Sequence, residues 1–293
     1  MAVLSGRTRL AGVMGWPVGH SRSPRLHGFW LERYGIDGAY VPLPVRPEHL
    51  GTALRGLLAA GFAGVNVTIP HKESVAAFCD TIDASARRAG AVNTLVFAEG
   101  RILGSNTDGA GFLANLRAHG VDPAAGPALI LGAGGGARAV AAALLDCGVG
   151  VRFANHHRGR AEALAAALPG SGVLEWEARA AALADHALLV NATPLGMSGQ
   201  PPLEIDLSRA PAALAVADLV YAPLETDLLA AARARGLRAV EGLGMLLHQA
   251  GDGFAAWFAT RPEVDEALYR FVAADLIAPR AGPAGVPRCR SSA

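Results

Sequence analysis

The sequence predicts an α/β chain of two domains, a β/α domain first and a Rossmann-type doubly wound domain second. Strand-like and helix-like stretches alternate through residues 1–107 and again from 128 to about 240. The second run opens on a glycine-rich turn at 132–136, between a short apolar strand and a helix of nearly continuous Ala, Val and Leu. The chain has 293 residues, enough for two domains of ordinary size.

The glycine turn organises the second half. Residues 128–131 read as a buried strand and 137–145 as a helix, the flanks that a dinucleotide fingerprint requires. Gly132 suits the sharp turn, and Gly134 lets a pyrophosphate approach the backbone. Ala133, Gly135 and Gly136 complete the turn, and Ala137, small in place of a third glycine, allows strand and helix to pack closely. The helix N-terminus offers unpaired N–H groups and a positive dipole end to phosphates.

In the first half, residues 8–13 read as a strand leading into a loop through 15–24. The loop ends in a helix over 24–34, with Ser23 as N-cap and Pro24 at the first helical position. A strand at 39–43, a helix at 47–60 closed by Gly61, and an alternating strand at 64–69 follow. Pro70 stops that strand, His71 and Lys72 lie at its C-terminal end, and Glu73 begins a further helix. Residues 91–97 pair with 101–104 through the Glu99–Gly100 turn.

A helix at 110–119 and a Pro- and Gly-containing linker at 121–127 lead into the second half. Strands follow at 150–154, 188–192, 215–219 and 238–240, with helices at 161–168 and 226–235. Helices at 245–258 and 263–276 then return to the first domain and make it discontinuous. The expected division is 1–107 with 241–277, a nucleotide domain at 108–240, and a disordered tail at 278–293.

Composition narrows the function classes. A net charge of +1 gives no basis for a nucleic-acid partner. No apolar run spans a membrane, and the N-terminal stretch is broken by Arg7, Thr8 and Arg9, unlike a secretory signal. Cys79, Cys147 and Cys289 are odd in number and far apart, as reduced thiols of a cytoplasmic protein are; Cys147 reads as part of the apolar helix after the glycine turn. No Cys or His cluster has metal-ligand spacing, so no metal is expected. A homodimer stays open.

Ligands in open α/β sheets sit outside the carboxyl ends of strands. Ser21, Ser23, Asn66, Thr68, Lys72, Asn93 and Asp108 fall at such ends. Hydroxyls and amides with one Lys and one Asp suit a small polyhydroxy acid, and a Lys can protonate an oxygen that gains charge as hydride arrives. Taken singly, each has a plainer role. Ser23 fits an N-cap, Lys72 a solvated cation, Asp108 a cap for a helix beginning at Gly109, and Asn93 and Asn106 turn residues. His20, His27, His119 and His186 read as structural.

Together the motifs make a pattern that resembles the shikimate dehydrogenases from residue 10 to residue 276. It rests on the segments at 19–24, 66–72, 90–94, 106–109, 132–137, 191–197, 218–226 and 242–250, in that order and spacing. The resemblance implies that Ser21 and Ser23 bind a substrate carboxylate. It gives Thr68, Asn93, Asp108 and Gln249 to the ring hydroxyls and makes Lys72 and Asp108 the catalytic pair. Thr193 is assigned to the cofactor, and Tyr221, Gly242 and Met245 to its nicotinamide end. The reaction implied is reversible NADPH-dependent reduction of 3-dehydroshikimate to shikimate, in chorismate and aromatic amino-acid biosynthesis. A dual quinate/shikimate enzyme with relaxed NAD(P) use and a catalytically silent binding protein are the other readings. The Ser-x-Ser pair argues against the first, and the retained Lys72 and Asp108 against the second.

One segment departs from the family's pattern. After the second strand of the nucleotide half, the family's Asn-Arg-Thr-x-x-Arg clamp for the adenosine 2′-phosphate is replaced by Asn155, His156, His157, Arg158, Gly159 and Arg160. Asn155 and Arg160 match; the first Arg and the Thr are histidines. No acidic side chain stands at 155–158 to select NAD, so NADP is still expected. If His156 stands in for the clamp Arg, its charge depends on pH. The alternative is that Arg158 and Arg160 carry the contact and His156 points to solvent.

Overall fold

The structure, a computed structural model, describes residues 4–277. The expected tail at 278–293, with Cys289, lies outside the described residues. Two six-stranded sheets form the frame. The first contains β1 (Arg9–Gly15), β2 (Gly38–Pro44), β3 (Gly64–Val67), β4 (Thr81–Ile82), β5 (Thr94–Ala98) and β6 (Arg101–Ser105). Its order is β2-β1-β3-β5-β6-β4, and β5 runs antiparallel to both neighbours. The second contains β7 (Ala128–Leu131), β8 (Val151–Ala154), β9 (Ser171–Leu174), β10 (Leu188–Asn191), β11 (Ala215–Asp218) and β12 (Arg238–Val240). It is wholly parallel in the order β12-β11-β10-β7-β8-β9, so the winding reverses between β7 and β10.

Around the first sheet lie α1 (Ser23–Arg33), α2 (Leu50–Ala59), α3 (Ala84–Ala89) and α4 (Asp108–Ala118), the last leading to the second sheet. The second sheet carries α5 (Gly135–Asp146), α6 (Arg158–Ala167), α7 (Arg179–Ala182) and α8 (Asp227–Ala234). The chain then returns through α9 (Gly242–Phe258) and α10 (Glu266–Ile277). The period of two along β7 is visible in the cores: Ala128 and Ile130 pack on one face with Phe112, Val140 and Leu144, and Leu129 and Leu131 on the other with Leu183 and Leu229. In the first sheet, Ala11 and Val13 meet Trp30, Phe254 and Trp257, while Val65 and Val67 meet Leu50 and Leu54. The indole N–H of Trp257 donates to Leu95 O at 3.0 Å, fastening α9 to β5.

Several local expectations need correction. The N-cap of α1 is Arg22, and Ser23 is already helical; the Ser23 backbone N–H donates to Ser21 Oγ at 3.3 Å. The third strand ends at Val67, because Thr68 closes a turn onto His71 before Pro70 can extend the ladder. The segment after Glu73 is a 3-10 turn, Ser74–Phe78. Cys147 caps the end of α5 and packs partly against the core. Sequence reasoning missed β4, α3, β9 and α7, all of two to six residues and too short to show a period.

His27, expected to be structural, is fully buried and stacks on Tyr40 with ring centroids 3.9 Å apart. Neither ring nitrogen has a hydrogen-bond partner. Burial pushes its pKa down to about 3, a nearby Asn66 offsetting part of the shift. The unfolded chain therefore binds more protons than the folded one between about pH 3 and the ordinary histidine range near ~6.5, and stability is lost as pH falls through that window. Replacing the imidazole by an apolar ring keeps the stack and removes the titration. In urea unfolding at a series of pH values, a His27→Phe protein should lose less stability between about pH 7 and pH 5 than the parent, the difference approaching ~1.4 kcal/mol per pH unit. Parallel curves for the two proteins would show that His27 does not carry the acid sensitivity.

Candidate active site

The first sheet presents one polar edge. Ser21 and Ser23 follow β1, Thr68 and Lys72 follow β3, and Asp108 follows β6 as the first residue of α4. Asn93 was expected at the carboxyl end of a strand; it precedes β5 and reaches the same edge because β5 is reversed. The Ser23 hydroxyl is not used in a cap, and the residue is nearly buried beside Tyr40. Thr68 is partly exposed at the edge, with its hydroxyl in no hydrogen bond among the described residues.

Lys72 and Asp108 form an ion pair, Nζ to Oδ2 at 2.5 Å, with side chains 18% and 7% exposed. Asp108 does not cap α4, whose N-cap is Thr107; its own N–H donates to Asn106 Oδ1 at 3.0 Å. Its second oxygen accepts from Asn93 Nδ2 at 2.8 Å. The orientation of Asn93 is set by the rest of its amide: Oδ1 accepts from Thr107 N at 2.9 Å and Thr94 Oγ1 at 2.9 Å. Gln249 Oε1, on α9, accepts from Thr107 Oγ1 at 3.2 Å. Farther in, Tyr40 OH donates to Asn66 Oδ1 at 2.6 Å, and Asn66 Nδ2 donates to Asn93 O at 3.2 Å. Burial pushes the Tyr40 hydroxyl well above its ordinary range and keeps it a donor. The result is a mostly buried polar network that ends on one carboxylate paired with one ammonium.

The second sheet faces this pair with its glycine turn. Gly132 has φ +108°, and a Cβ there would stand 2.9 Å from Ala192 O. A Cβ on Gly134 would meet nothing within 4 Å, so the backbone is open above it. A Cβ on Gly135 would lie 3.6 Å from Lys72 Cδ, which puts the N-terminus of α5 beside the ion pair. No side chain caps α5, and Ala137 is fully buried against the core. Uncapped amides, an open backbone above Gly134 and a parallel sheet whose order reverses here fit a dinucleotide's pyrophosphate. Ala133 is half-buried in that turn.

The remaining cofactor candidates divide into two groups. Beside the glycine turn, where a Cβ on Gly132 would lie 3.2 Å from Thr193 Cγ2, Thr193 N and Oγ1 donate to Asn191 Oδ1 at 3.0 and 2.7 Å. Tyr221 lies next to Arg22 of the first half, and burial raises its hydroxyl pKa. A Cβ on Gly242 would stand 2.6 Å from Leu219 O and Val220 O, so this glycine allows α9 to start against the β11 loop; Met245 packs one turn on. At the end of β8, Asn155, His156, His157 and Arg160 are half-buried or exposed. His156 does not point to solvent alone: it lies on Trp176, centroids 3.9 Å apart.

Sequence reasoning missed Tyr40, Thr94, Thr107, Trp176 and Asp218 as parts of the site. Asp218, Asn191 and Thr226 join the two loops that flank the turn: Asp218 accepts from Asn191 Nδ2 at 2.9 Å, Thr226 Oγ1 at 2.7 Å and Val220 N at 3.0 Å. A buried strand ending in Asp, with Thr eight residues on, was the available signal for this tie. Among the described residues no helix is long and apolar enough to cross a membrane.

Residues 13–95 match the family described as the shikimate dehydrogenase substrate binding domain. The chain is 66% identical over 275 residues to a shikimate dehydrogenase (NADP(+)) of Acidiphilium cryptum, covering 94% of this chain and 99% of that one. It superposes with a TM-score of 0.83 and 39% identity on the crystal structure of shikimate 5-dehydrogenase from Thermus thermophilus in complex with NADP(H) and shikimate, covering 92% and 100% of the two chains. A quinate dehydrogenase from Corynebacterium glutamicum in complex with NAD is also similar, with a TM-score of 0.83, 31% identity and coverage of 92% and 99%.

The Asp218 tie has a pH signature. Burial pushes its carboxyl up to about 6, against hydrogen bonds that lower it. An unfolded Asp titrates near ~3.9, so in between the folded chain holds the extra proton and stability falls as pH rises from about 4 to about 6. The fall is of order 3 kcal/mol for a shift of about two units. An Asp218→Asn protein should lack this fall, so its stability relative to the parent should improve between about pH 4 and pH 7 in urea titrations. A constant difference between the two would remove Asp218 as the titrating group.

Proposed function

The chain belongs to the shikimate dehydrogenase family, and from that premise we propose that it reduces 3-dehydroshikimate reversibly to shikimate with NADPH, within chorismate and aromatic amino-acid biosynthesis. The observation that carries this reading is the Lys72–Asp108 ion pair held beside the uncapped N-terminus of α5. We take residues 1–107 with 241–277 as the substrate domain and 108–240 as the dinucleotide domain.

The hydroxyls of Ser21 and Ser23 receive the substrate carboxylate. Thr68, Asn93, Asp108 and Gln249 read the ring hydroxyls. Lys72 donates its proton to the C3 oxygen, where negative charge develops on reduction. Asp108 keeps that ammonium aimed, and Asn93, oriented by Thr94 and Thr107, keeps the carboxylate from turning away. Lys72 is not sealed off, so it recovers its proton from solvent. The glycine turn at 132–136 holds the pyrophosphate on backbone amides, Thr193 contacts the cofactor, and Tyr221, Gly242 and Met245 line the nicotinamide end. Bound NADPH supplies the hydride. Cys79 and Cys147 are free thiols, which suits an enzyme of the reducing cytoplasm.

The purified chain should oxidise NADPH when given 3-dehydroshikimate, and in reverse should turn over shikimate faster than quinate. Lys72→Ala should lower kcat by about 10²- to 10⁴-fold with little change in shikimate KM. Unchanged turnover in that variant would remove Lys72 from the chemistry, and faster turnover of quinate would reassign the substrate.

A further inference from the structure

Tyr40 has no part in the reading above, yet it stands behind the polar edge. It lies on β2 opposite Ala11 of β1, and Asn66 lies on β3 opposite Val13. Its ring crosses β1 on the face where the small Ala11 leaves room, and its hydroxyl reaches Asn66 Oδ1 at 2.6 Å, two strands away. The ring is held in place. It stacks on His27 with 6° between the planes, and Trp257 lies against it with centroids 6.0 Å apart.

Each link beyond Tyr40 is fixed by a group that can play only one part. Asn93 O is a carbonyl and accepts, so Asn66 turns its NH₂ toward it at 3.2 Å and its Oδ1 toward Tyr40. Thr107 N only donates, so Asn93 turns Oδ1 toward it at 2.9 Å and Nδ2 toward Asp108 Oδ1 at 2.8 Å. Thr94 Oγ1 joins the two amides: it accepts from Asn66 Nδ2 at 3.2 Å and donates to Asn93 Oδ1 at 2.9 Å. From Tyr40 onward the donors run toward one carboxylate, through side chains that are all nearly buried. At the near end the Ser23 hydroxyl stands beside the Tyr40 oxygen. The Tyr40 proton is committed to Asn66, so that oxygen meets Ser23 as an acceptor.

We propose that Tyr40 is a positioning residue for hydride transfer: through Asn66 and Thr94 its hydroxyl fixes the Asn93 amide, and with it the Asp108 carboxylate that holds Lys72, while its oxygen holds the Ser23 hydroxyl ready for the substrate carboxylate. The proposal rests on the reading that Lys72 and Asp108 carry out the reduction of 3-dehydroshikimate. When a carboxylate arrives, Ser23 passes its proton from one acceptor to another, and the chain behind Tyr40 stays as it was. Phenylalanine at this position would keep the stack on His27 and break the chain at its head. Whichever way the Asn66 amide then lies, one polar contact fails: unturned, its Oδ1 is buried without a donor; turned, its oxygen faces Asn93 O. The disturbance falls on Asn93, the amide that aims Asp108.

The experiment compares the full chain with Tyr40→Phe, Thr94→Val and the double variant, using shikimate and NADP⁺. Steady-state turnover gives kcat and both KM values, and a single turnover followed by nicotinamide absorbance gives the rate of hydride transfer. Tyr40→Phe should slow hydride transfer by about tenfold and leave the KM for NADP⁺ unchanged. Thr94→Val cuts the same chain one link farther on and should do the same. The double variant should be no slower than the slower single variant, whereas losses from unrelated packing defects would multiply. Parental hydride transfer in Tyr40→Phe, losses that multiply in the double variant, or a loss seen only as a raised KM for NADP⁺ overturns the assignment of Tyr40. No turnover of shikimate by the parent would instead overturn the functional reading itself, and the inference with it.

Discussion

Asp108 is the constraint on which the cleft depends. A nearly buried carboxylate without partners is strongly disfavoured, by several kcal/mol or more. The fold gives it one ammonium, one amide and its place at the start of a helix, whose dipole favours negative charge. Each partner then imposes a requirement of its own. Lys72 must follow β3, Asn93 must reach the same edge from a strand of opposite direction, and Thr94 and Thr107 must fix the amide so that its NH₂ side faces the carboxylate. Reversal of β5 in an otherwise mainly parallel sheet is what brings amide and ammonium to opposite oxygens of one side chain.

The same carboxylate begins α4, and α4 decides how the two sheets meet. A Cβ on Gly109 would stand 2.8 Å from Ala139 O on α5, and one on Gly111 would stand 2.8 Å from Gln249 N on α9. The absence of side chains at these two positions lets α4 lie against one helix from each half. Close approach at Gly111 is also why Gln249, far away in sequence, reaches Thr107 and Asn93. On the other helix, Gly244 leaves room for the Asn115 side chain, whose Nδ2 donates to Glu241 O at the start of α9. Small residues here set the width of the cleft by setting the distance between helix axes.

What the sequence made legible follows from what is local. The strand, glycine turn and helix at 128–145 declare themselves because φ at Gly132 and the open backbone at Gly134 are needs of neighbouring residues. The polar edge was legible for the residues that follow β1, β3 and β6, since parallel strands place their chemistry at predictable ends. Asn93 was found, but by an argument that fails for an antiparallel strand, and Ser23 was given a capping role that the local turn leaves to Arg22. Tyr40, Thr94 and Trp176 carry no local mark. Their roles come from cross-strand register, as when Asn66 stands opposite Thr94, or from a stack between segments that follow different strands.

A dinucleotide meets two kinds of atom in a doubly wound fold. A pyrophosphate lies on backbone amides at a helix N-terminus, whose number and direction are set by the turn and do not change with side-chain identity. The ribose 2′ position lies at the end of the neighbouring strand, where side chains choose between hydroxyl and phosphate. Substitutions in the turn after that strand can therefore alter cofactor choice while the glycine turn, the sheet and the catalytic edge stay as they are. Two relatives that each superpose on this chain at a TM-score of 0.83 were crystallised with different cofactors, one with NADP(H) and one with NAD, so the fold alone does not choose between them. In this chain His156 and His157 stand in that turn, and His156 lies against Trp176 with ring centroids 3.9 Å apart.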